Sequence, residues 1–133
     1  MRLASLSDLE QINKWVERDS GREVDFSEFL SCTLNVCLIE GEGGALFVWR
    51  APGIFELHLF FEQRGREAIE LLRRMLDTMR REFGAQWFWA AIPWDQGKQS
   101  RKVRLFARRM GWKLKGRAMF PHGLCEVFTS EIV

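Results

Sequence analysis

The sequence predicts one α/β domain, and three features carry that prediction. Residues 54–61 form an apolar strand, followed by a glycine turn, a long amphipathic helix, a second apolar strand at 86–92 and a second amphipathic helix closing on Gly111. That order is a single crossover unit. Upstream of it, three successive strand-like stretches read as a meander. The chain has 133 residues, enough for one core and too few for a comfortable second.

Each element follows from local pattern. Ser7 and Glu10 form a capping-box pattern, and Leu9, Ile12, Trp15 and Val16 recur at helical spacing, which predicts a helix over about residues 7–18. Asp19-Ser20-Gly21 breaks it, and a shorter helical piece around 25–31 leads into a strand over 33–40. Gly41-Glu42-Gly43-Gly44 is a hairpin turn, the next strand covers 45–50, and Ala51-Pro52-Gly53 turns the chain into the strand at 54–61. Ala68, Leu72, Met75, Leu76, Met79 and Phe83 line one stripe of a helix ended by Gly84. After the strand at 86–92 and a loop over 93–97, Val103, Phe106, Ala107 and Met110 form the buried stripe of the last helix. Residues 112–117 and 124–129 close the domain as two strands joined through Pro121-His122-Gly123. The order is β-α-α-β-β-β-α-β-α-β-β.

Composition narrows the function classes. Hydrophobic residues at 47% and charged residues at 29% fit a soluble globular domain, and no apolar run approaches the roughly 20 residues that span a bilayer. The N-terminus has no apolar signal core, so a cytoplasmic protein is expected. Cys32, Cys37 and Cys125 lack paired metal-ligand spacing, and with only His58 and His122 beside them no metal site is expected; all three are read as buried reduced thiols. Six tryptophans and eleven phenylalanines stand against no tyrosine, which excludes any mechanism that needs a phenol as proton donor. Charge is divided along the chain: residues 1–60 hold five Lys and Arg against ten Asp and Glu, residues 61–133 fifteen against eight. The basic part could attract a phosphorylated cofactor, a nucleic acid or an acidic partner.

Two groupings carry chemistry. Glu56 and His58 interrupt the apolar strand at 54–61 two residues apart, so alternation projects both from one face. The following loop, Glu62-Gln63-Arg64-Gly65-Arg66, opens a helix whose first-turn N–H groups lack intrahelical partners, a place where a phosphate can dock. Trp87, Trp89 and Trp94 read as core or interface aromatics rather than as a ligand cage.

The order of elements and the residues at its joints resemble the superfamily of GCN5-related N-acetyltransferases (GNAT) over nearly the whole chain. Met1-Arg2-Leu3-Ala4, followed by Asp8-Leu9 and Ile12, is similar to that family's opening strand and first helix. Gln63-Arg64-Gly65-Arg66-Glu67-Ala68 stands where the family carries its Gln/Arg-x-x-Gly-x-Gly/Ala pyrophosphate loop, and Ser100 through Trp112 resembles the helix that begins near Asn and ends in Gly-Phe. In its small size, and in the Gly65-Arg66-Glu67-Ala68 and Phe106-Ala107-Arg108-Arg109 stretches, the chain is most similar to compact GNAT-like proteins encoded by bacteriophages. The resemblance implies a mixed, mostly antiparallel sheet of six to seven strands flanked by about four helices, with a splayed parallel pair at its centre.

It also implies acetyl-CoA or another acyl-CoA as co-substrate, bound where the strands at 54–61 and 86–92 part, and no metal. Main-chain groups near Phe60 and Phe61 would pair with pantetheine and polarise the thioester, as preorganised donors do in acyl transfer. Gln63, Arg64, Gly65, Arg66, Glu67 and Ala68 would hold the pyrophosphate, and Ser100 would stand in for the family's asparagine. An amine acceptor, whether a small molecule or a protein lysine, must lose a proton before it attacks; Glu56 is the first candidate base and His58 the second. Three departures bear on this. The loop's central glycine is Arg66, the asparagine position is Ser100, and the tyrosine that often protonates the departing thiolate falls at Ala107. Two other classes stay open: a catalytically inactive GNAT-like module used for assembly or partner binding, in a host cytoplasm or a virion if phage-encoded, and a non-specific nucleic-acid binder. The second lacks any recognisable reading motif and ranks last.

Overall fold

The computed structural model describes residues 1–94, 97–121 and 123–130, with Gln99 described by its backbone only. Seven strands form one sheet in the order β1-β2-β3-β4-β5-β7-β6: β1 Arg2–Leu3, β2 Val36–Ile39, β3 Gly44–Ala51, β4 Ile54–Phe60, β5 Trp87–Pro93, β6 Lys113–Phe120 and β7 Gly123–Thr129. The β4 and β5 strands are parallel and every other neighbouring pair is antiparallel. Helices α1 (Leu9–Ser20) and α2 (Ser27–Ser31) lie on one face, α3 (Gly65–Phe83) and α4 (Lys98–Arg109) on the other. The mixed sheet with one central parallel pair is the architecture expected from the sequence. His122 and residues 95–96 of the expected loops lie outside the described residues.

Burial follows strand alternation. Phe55 and Leu57 of β4 join Leu72, Met75 and Met79 of α3 and Phe88 of β5 in the larger core, whereas Phe60 joins Ile12, Trp15 and Phe26 on the α1/α2 side. All four residues of β2 are buried because helices cover both sheet faces there, which is why this strand reads as a continuous apolar run. Phe47 and Phe88 meet edge to face at 5.7 Å in the centre. The core under α1 and α2 draws on β2, β3 and β4 and on none of β5, β7 or β6. Among the described residues, half of that sheet face is therefore left without a helix over it.

Local expectations fail where side chains take over backbone roles. The capping box is not Ser7/Glu10 but Ser5/Asp8, in a 3-10 turn over Leu6–Asp8 that precedes α1. Asp8 accepts from the Ser5 N–H at 2.9 Å and pairs with Arg2 of β1 at 2.8 Å, and these two partners hold its carboxyl down at about 2. Strand β2 begins three residues later than expected because the Asn35 side chain replaces strand pairing: its Nδ2 donates to the Phe29 carbonyl at 3.0 Å and its Oδ1 accepts from the Trp49 N–H at 2.9 Å. Strand β6 runs on to Phe120, past the expected end at 117, because Ala118, Met119 and Phe120 go on pairing with Cys125, Leu124 and Gly123, and it carries a bulge between Leu114 and Gly116. Cys32 is exposed, against the expectation of three buried thiols; burial, with the Asp8 charge, pushes the Cys37 thiol up to about 12.

The β2–β3 turn is pinned to the start of α3. Trp15 Nε1 donates to Glu42 Oε2 at 3.2 Å, Arg18 Nη1 to the Glu42 carbonyl at 2.8 Å, and the Glu42 N–H to Glu62 Oε2 at 3.0 Å. Gly43 is required here by close approach: a Cβ would stand 2.2 Å from the Phe60 carbonyl oxygen and 3.0 Å from the Glu62 nitrogen, both of them backbone atoms. Gly43→Ala should lower the urea midpoint by the equivalent of about 1–3 kcal/mol, the usual range for overpacking. An unchanged midpoint would show that the turn yields freely.

Candidate functional site

Alternation along β4 does place Glu56 and His58 on one face, the side of α1 and α2. Glu56 is the buried member, its side chain 10% exposed against 44% for His58. Its Oε2 lies 2.6 Å from His58 Nε2, and its Oε1 accepts from Arg50 Nε at 2.8 Å and from Arg50 Nη2 at 2.5 Å. Arg50 comes from β3, where it lies two residues past Val48, the register partner of Glu56. Burial pushes the Glu56 carboxyl up, but hydrogen bonds and charges of His58 and Arg50 outweigh it and hold the group below its ordinary 4.5. This carboxylate therefore favours the fold above the unfolded carboxylate range, and the contribution is lost as pH falls through its lowered folded value.

With Nε2 turned to Glu56, the second ring nitrogen of His58 is directed away from the carboxylate. The arrangement is a carboxylate that orients an imidazole, itself braced by an arginine. Sequence reasoning found Glu56 and His58 and missed Arg50, which only the β3–β4 register brings alongside.

The parallel pairing of β4 with β5 stops early. Ile54, Phe55 and Glu56 pair with Trp87, Phe88 and Trp89, and beyond them the strands part. The Phe60 carbonyl points across to Gly43 and accepts from Arg18 Nη2 at 3.1 Å. Because backbone groups alternate along a strand, those of Leu59 face the parted side. The Phe61 carbonyl accepts from Arg64 Nη1 at 2.7 Å, and the same nitrogen takes the Glu62 and Gln63 carbonyls at 3.0 and 3.1 Å. Arg64 thus braces the loop with its side chain. Gln63 Nε2 reaches the Glu40 carbonyl at 3.5 Å, while its Oε1 is buried with no partner among the described residues.

Helix α3 starts at Gly65, whose φ of +58° lies in the left-handed region, and no side chain caps its first turn. A Cβ at Gly65 would meet nothing within 4 Å, so the space over this turn is open. Arg66 and Glu67 are exposed beside it, and Ala68 is buried in the core beneath. The N-cap of α4 is Gly97, which has no side chain to cap the first turn, and Ser100 is buried as the helix's third residue. Slight burial and the charges of Arg64 and Lys98 push the Lys102 ammonium down against the pull of Asp19. Lys102 therefore shares the field at the start of α3, a neighbourhood set by tertiary structure and not marked in the sequence. Ala107 is packed in the core.

The arrangement can hold an extended anionic molecule at the mouth of the parted strands and deprotonate a group on the α1/α2 side. Among the described residues no group of three His, Cys, Asp or Glu could hold a metal, and no helix is long and apolar enough to cross a membrane. No family model and no curated protein matches the sequence. Solved structures do match. The aminoglycoside acetyltransferase AAC(6')-Ib in complex with coenzyme A and kanamycin is 15% identical, with TM-score 0.69 over 97% of this chain and 92% of that one. A variant of the spermidine N-acetyltransferase SpeG from Vibrio cholerae is 10% identical, with TM-score 0.71 over 96% of this chain and 92% of that one. An acetyltransferase from Agrobacterium tumefaciens is 17% identical, with TM-score 0.67 over 98% of this chain and 89% of that one. At these identities the likeness is one of fold, and the fold is that of the GNAT acetyltransferases.

Proposed function

We propose that this protein is an acyl-CoA-dependent N-acyltransferase, moving an acetyl group from acetyl-CoA to an amine. The observation that carries the reading is the parting of β4 from β5 just past Glu56 and Trp89. It lies between an uncapped α3 N-terminus and a carboxylate–imidazole pair. The structural likeness to acetyltransferases that bind coenzyme A supports it. The residues present fit the co-substrate. The open first turn at Gly65 offers unpaired N–H groups to a pyrophosphate, with Arg66, Lys98 and Lys102 supplying charge, and Arg64 keeps the loop in shape. Leu59 presents strand main-chain groups toward the pantetheine and thioester.

Bound acetyl-CoA would supply an activated acyl carbon and a thiolate leaving group. His58 accepts the proton that the ammonium must lose, and Glu56 keeps the imidazole turned and stabilises it once it is protonated. The amine then forms the C–N bond as the C–S bond breaks. Overall, ammonium and thioester give amide, thiol and one proton. With alanine at position 107 and no tyrosine in the chain, the thiolate takes its proton from water.

Calorimetric titration with acetyl-CoA and CoA at two salt concentrations tests this. Micromolar binding that weakens with salt is expected, and no binding at either salt would refute the co-substrate. Gly65→Val should weaken binding at least tenfold. Space is not the reason, since the site is open; a β-branched residue resists the φ of +58° that aims the first N–H groups. Equal affinity in that variant would move the phosphates elsewhere.

A further inference from the structure

Helix α4 turns to solvent a face that carries positive charge around an apolar centre. Val103, Phe106, Ala107 and Met110 pack on the core, and Arg104 is held by Glu126. On the far side Leu105 is 52% exposed, with Arg101 one turn before it and Arg108 and Arg109 one turn after. These three arginines are exposed, and none of their side chains makes a hydrogen bond or ion pair with a described residue. The helix itself contains no Asp or Glu to relieve them, and Arg101 stands near the positive end of the helix dipole. The opposite side of the molecule carries the reverse pattern. Helix α1 and the segment 23–25 enclose a groove of about 530 Å³ floored by Leu9 and Val24. Glu10, Glu17, Glu23 and Asp25 line it against one cation, Lys14, which lies 3.6 Å from Glu10. Asp25 accepts from Ser27 and Asn13, neutral groups that leave its charge in place, and the exposed Glu17 and Glu23 side chains have no partner among the described residues. Three carboxylates thus stand around an apolar floor with no cation of the groove to match them.

We propose that a second copy of this chain seats its α4 in this groove, with Leu105 over Leu9 and Val24 and the arginines Arg101, Arg108 and Arg109 against Glu17, Glu23 and Asp25, so that copies associate head to tail. Complementarity selects the partner: each surface has an apolar centre and a charged border, and the borders are of opposite sign. Topology makes the contact intermolecular. The groove lies with α1 and α2 on one side of the sheet and α4 on the other, so no chain can fill its own groove. Two different surfaces meet, which makes the interface heterologous and able to grow past a dimer. One helix face on one groove is a small contact, so the association is weak and sensitive to salt. A nucleic acid would also satisfy the arginines, but it would leave Leu105 exposed and the acidic groove unmatched. The contact is independent of any chemistry at the parted strands.

Sedimentation velocity over a range of protein concentrations, at roughly 50 and 500 mM salt, tests this. At low salt the average mass should rise with concentration past that of a dimer, and at high salt it should stay near that of the monomer. Leu105→Ser should weaken the association at least tenfold with the thermal midpoint unchanged, since the residue is exposed. Two charge reversals, Arg101→Glu with Arg108→Glu on the helix and Glu17→Lys with Glu23→Lys on the groove, should each leave a monomer. Mixing the two reversed proteins should restore association, because the acidic helix of one then meets the basic groove of the other. All four positions are exposed, so the variants should keep the native circular dichroism. A monomer at low salt and every concentration, association that salt does not weaken, or a mixture of reversed variants that stays monomeric would overturn the proposal. A monomer that instead retards a single-stranded oligonucleotide through Arg101 and Arg108 would overturn it in favour of nucleic-acid binding.

Discussion

Glu56→Gln should lower turnover by about 10²–10⁴-fold, the range expected for a lost general-base function, with acetyl-CoA affinity nearly unchanged. In the proposed mechanism that loss is one of positioning. Both carboxylate oxygens are already engaged, one with Arg50 and one with His58, and the group is held below its ordinary range. A carboxylate so stabilised is a weak proton acceptor at neutral pH, whereas the imidazole it holds keeps a second nitrogen for the amine. His58→Asn should therefore lose at least as much turnover as Glu56→Gln. The pH–rate profile separates the roles. In Glu56→Gln the acid limb should persist. In His58→Asn it should vanish. Glu56→Asp should restore part of the rate. Near-normal turnover in His58→Asn would return the base role to Glu56.

What the sequence revealed and what it hid divide along sequence distance. The crossover unit, the meander, both long helices and the shared face of Glu56 and His58 follow from periods of 2 and 3.6 residues, which are local. The glycine turn that opens α3 was visible too, because a glycine before an amphipathic helix is a local signal. Arg50 was not, since its approach to Glu56 depends on the register across the turn between β3 and β4. Trp89 stood in the sequence as one tryptophan among six, and only parallel pairing of strands separated by α3 sets it beside Glu56. Arg64 was legible by position but not by role: a long side chain can reach a ligand or its own loop, and here it takes three loop carbonyls. The Ser5/Asp8 cap lost out to Ser7/Glu10 in the sequence because Arg2, which fixes Asp8, lies on another element.

The largest stability effect is expected at Glu126, where no chemistry is proposed. It is buried on β7 and pairs with Arg104 of α4, the two side chains 6% and 13% exposed. Arg104 Nε donates to Glu126 Oε1 at 2.5 Å and its Nη2 to the Pro93 carbonyl at 2.5 Å, with its guanidinium 5.6 Å from the Trp94 ring centre. Arg117 lies 3.9 Å from the same ring centre, so removing Glu126 would leave two guanidinium groups close together without the carboxylate between α4 and the sheet. Glu126→Ala should cost about 3–5 kcal/mol, because it removes one partner of an ion pair that is mostly withdrawn from water. That corresponds to a fall of roughly 10–20 °C in thermal midpoint for a domain of this size. Removing both partners, as in Arg104→Met with Glu126→Leu, should recover most of the loss, since matched apolar groups avoid the desolvation of the pair. The double variant keeps the fold but loses the tie from α4 to the end of β5, one wall of the parted strands. Its acetyl-CoA affinity should therefore stay reduced after its stability has returned. If affinity returned together with stability, the ion pair would be a fastening of the fold alone, with no part in shaping the proposed co-substrate cleft.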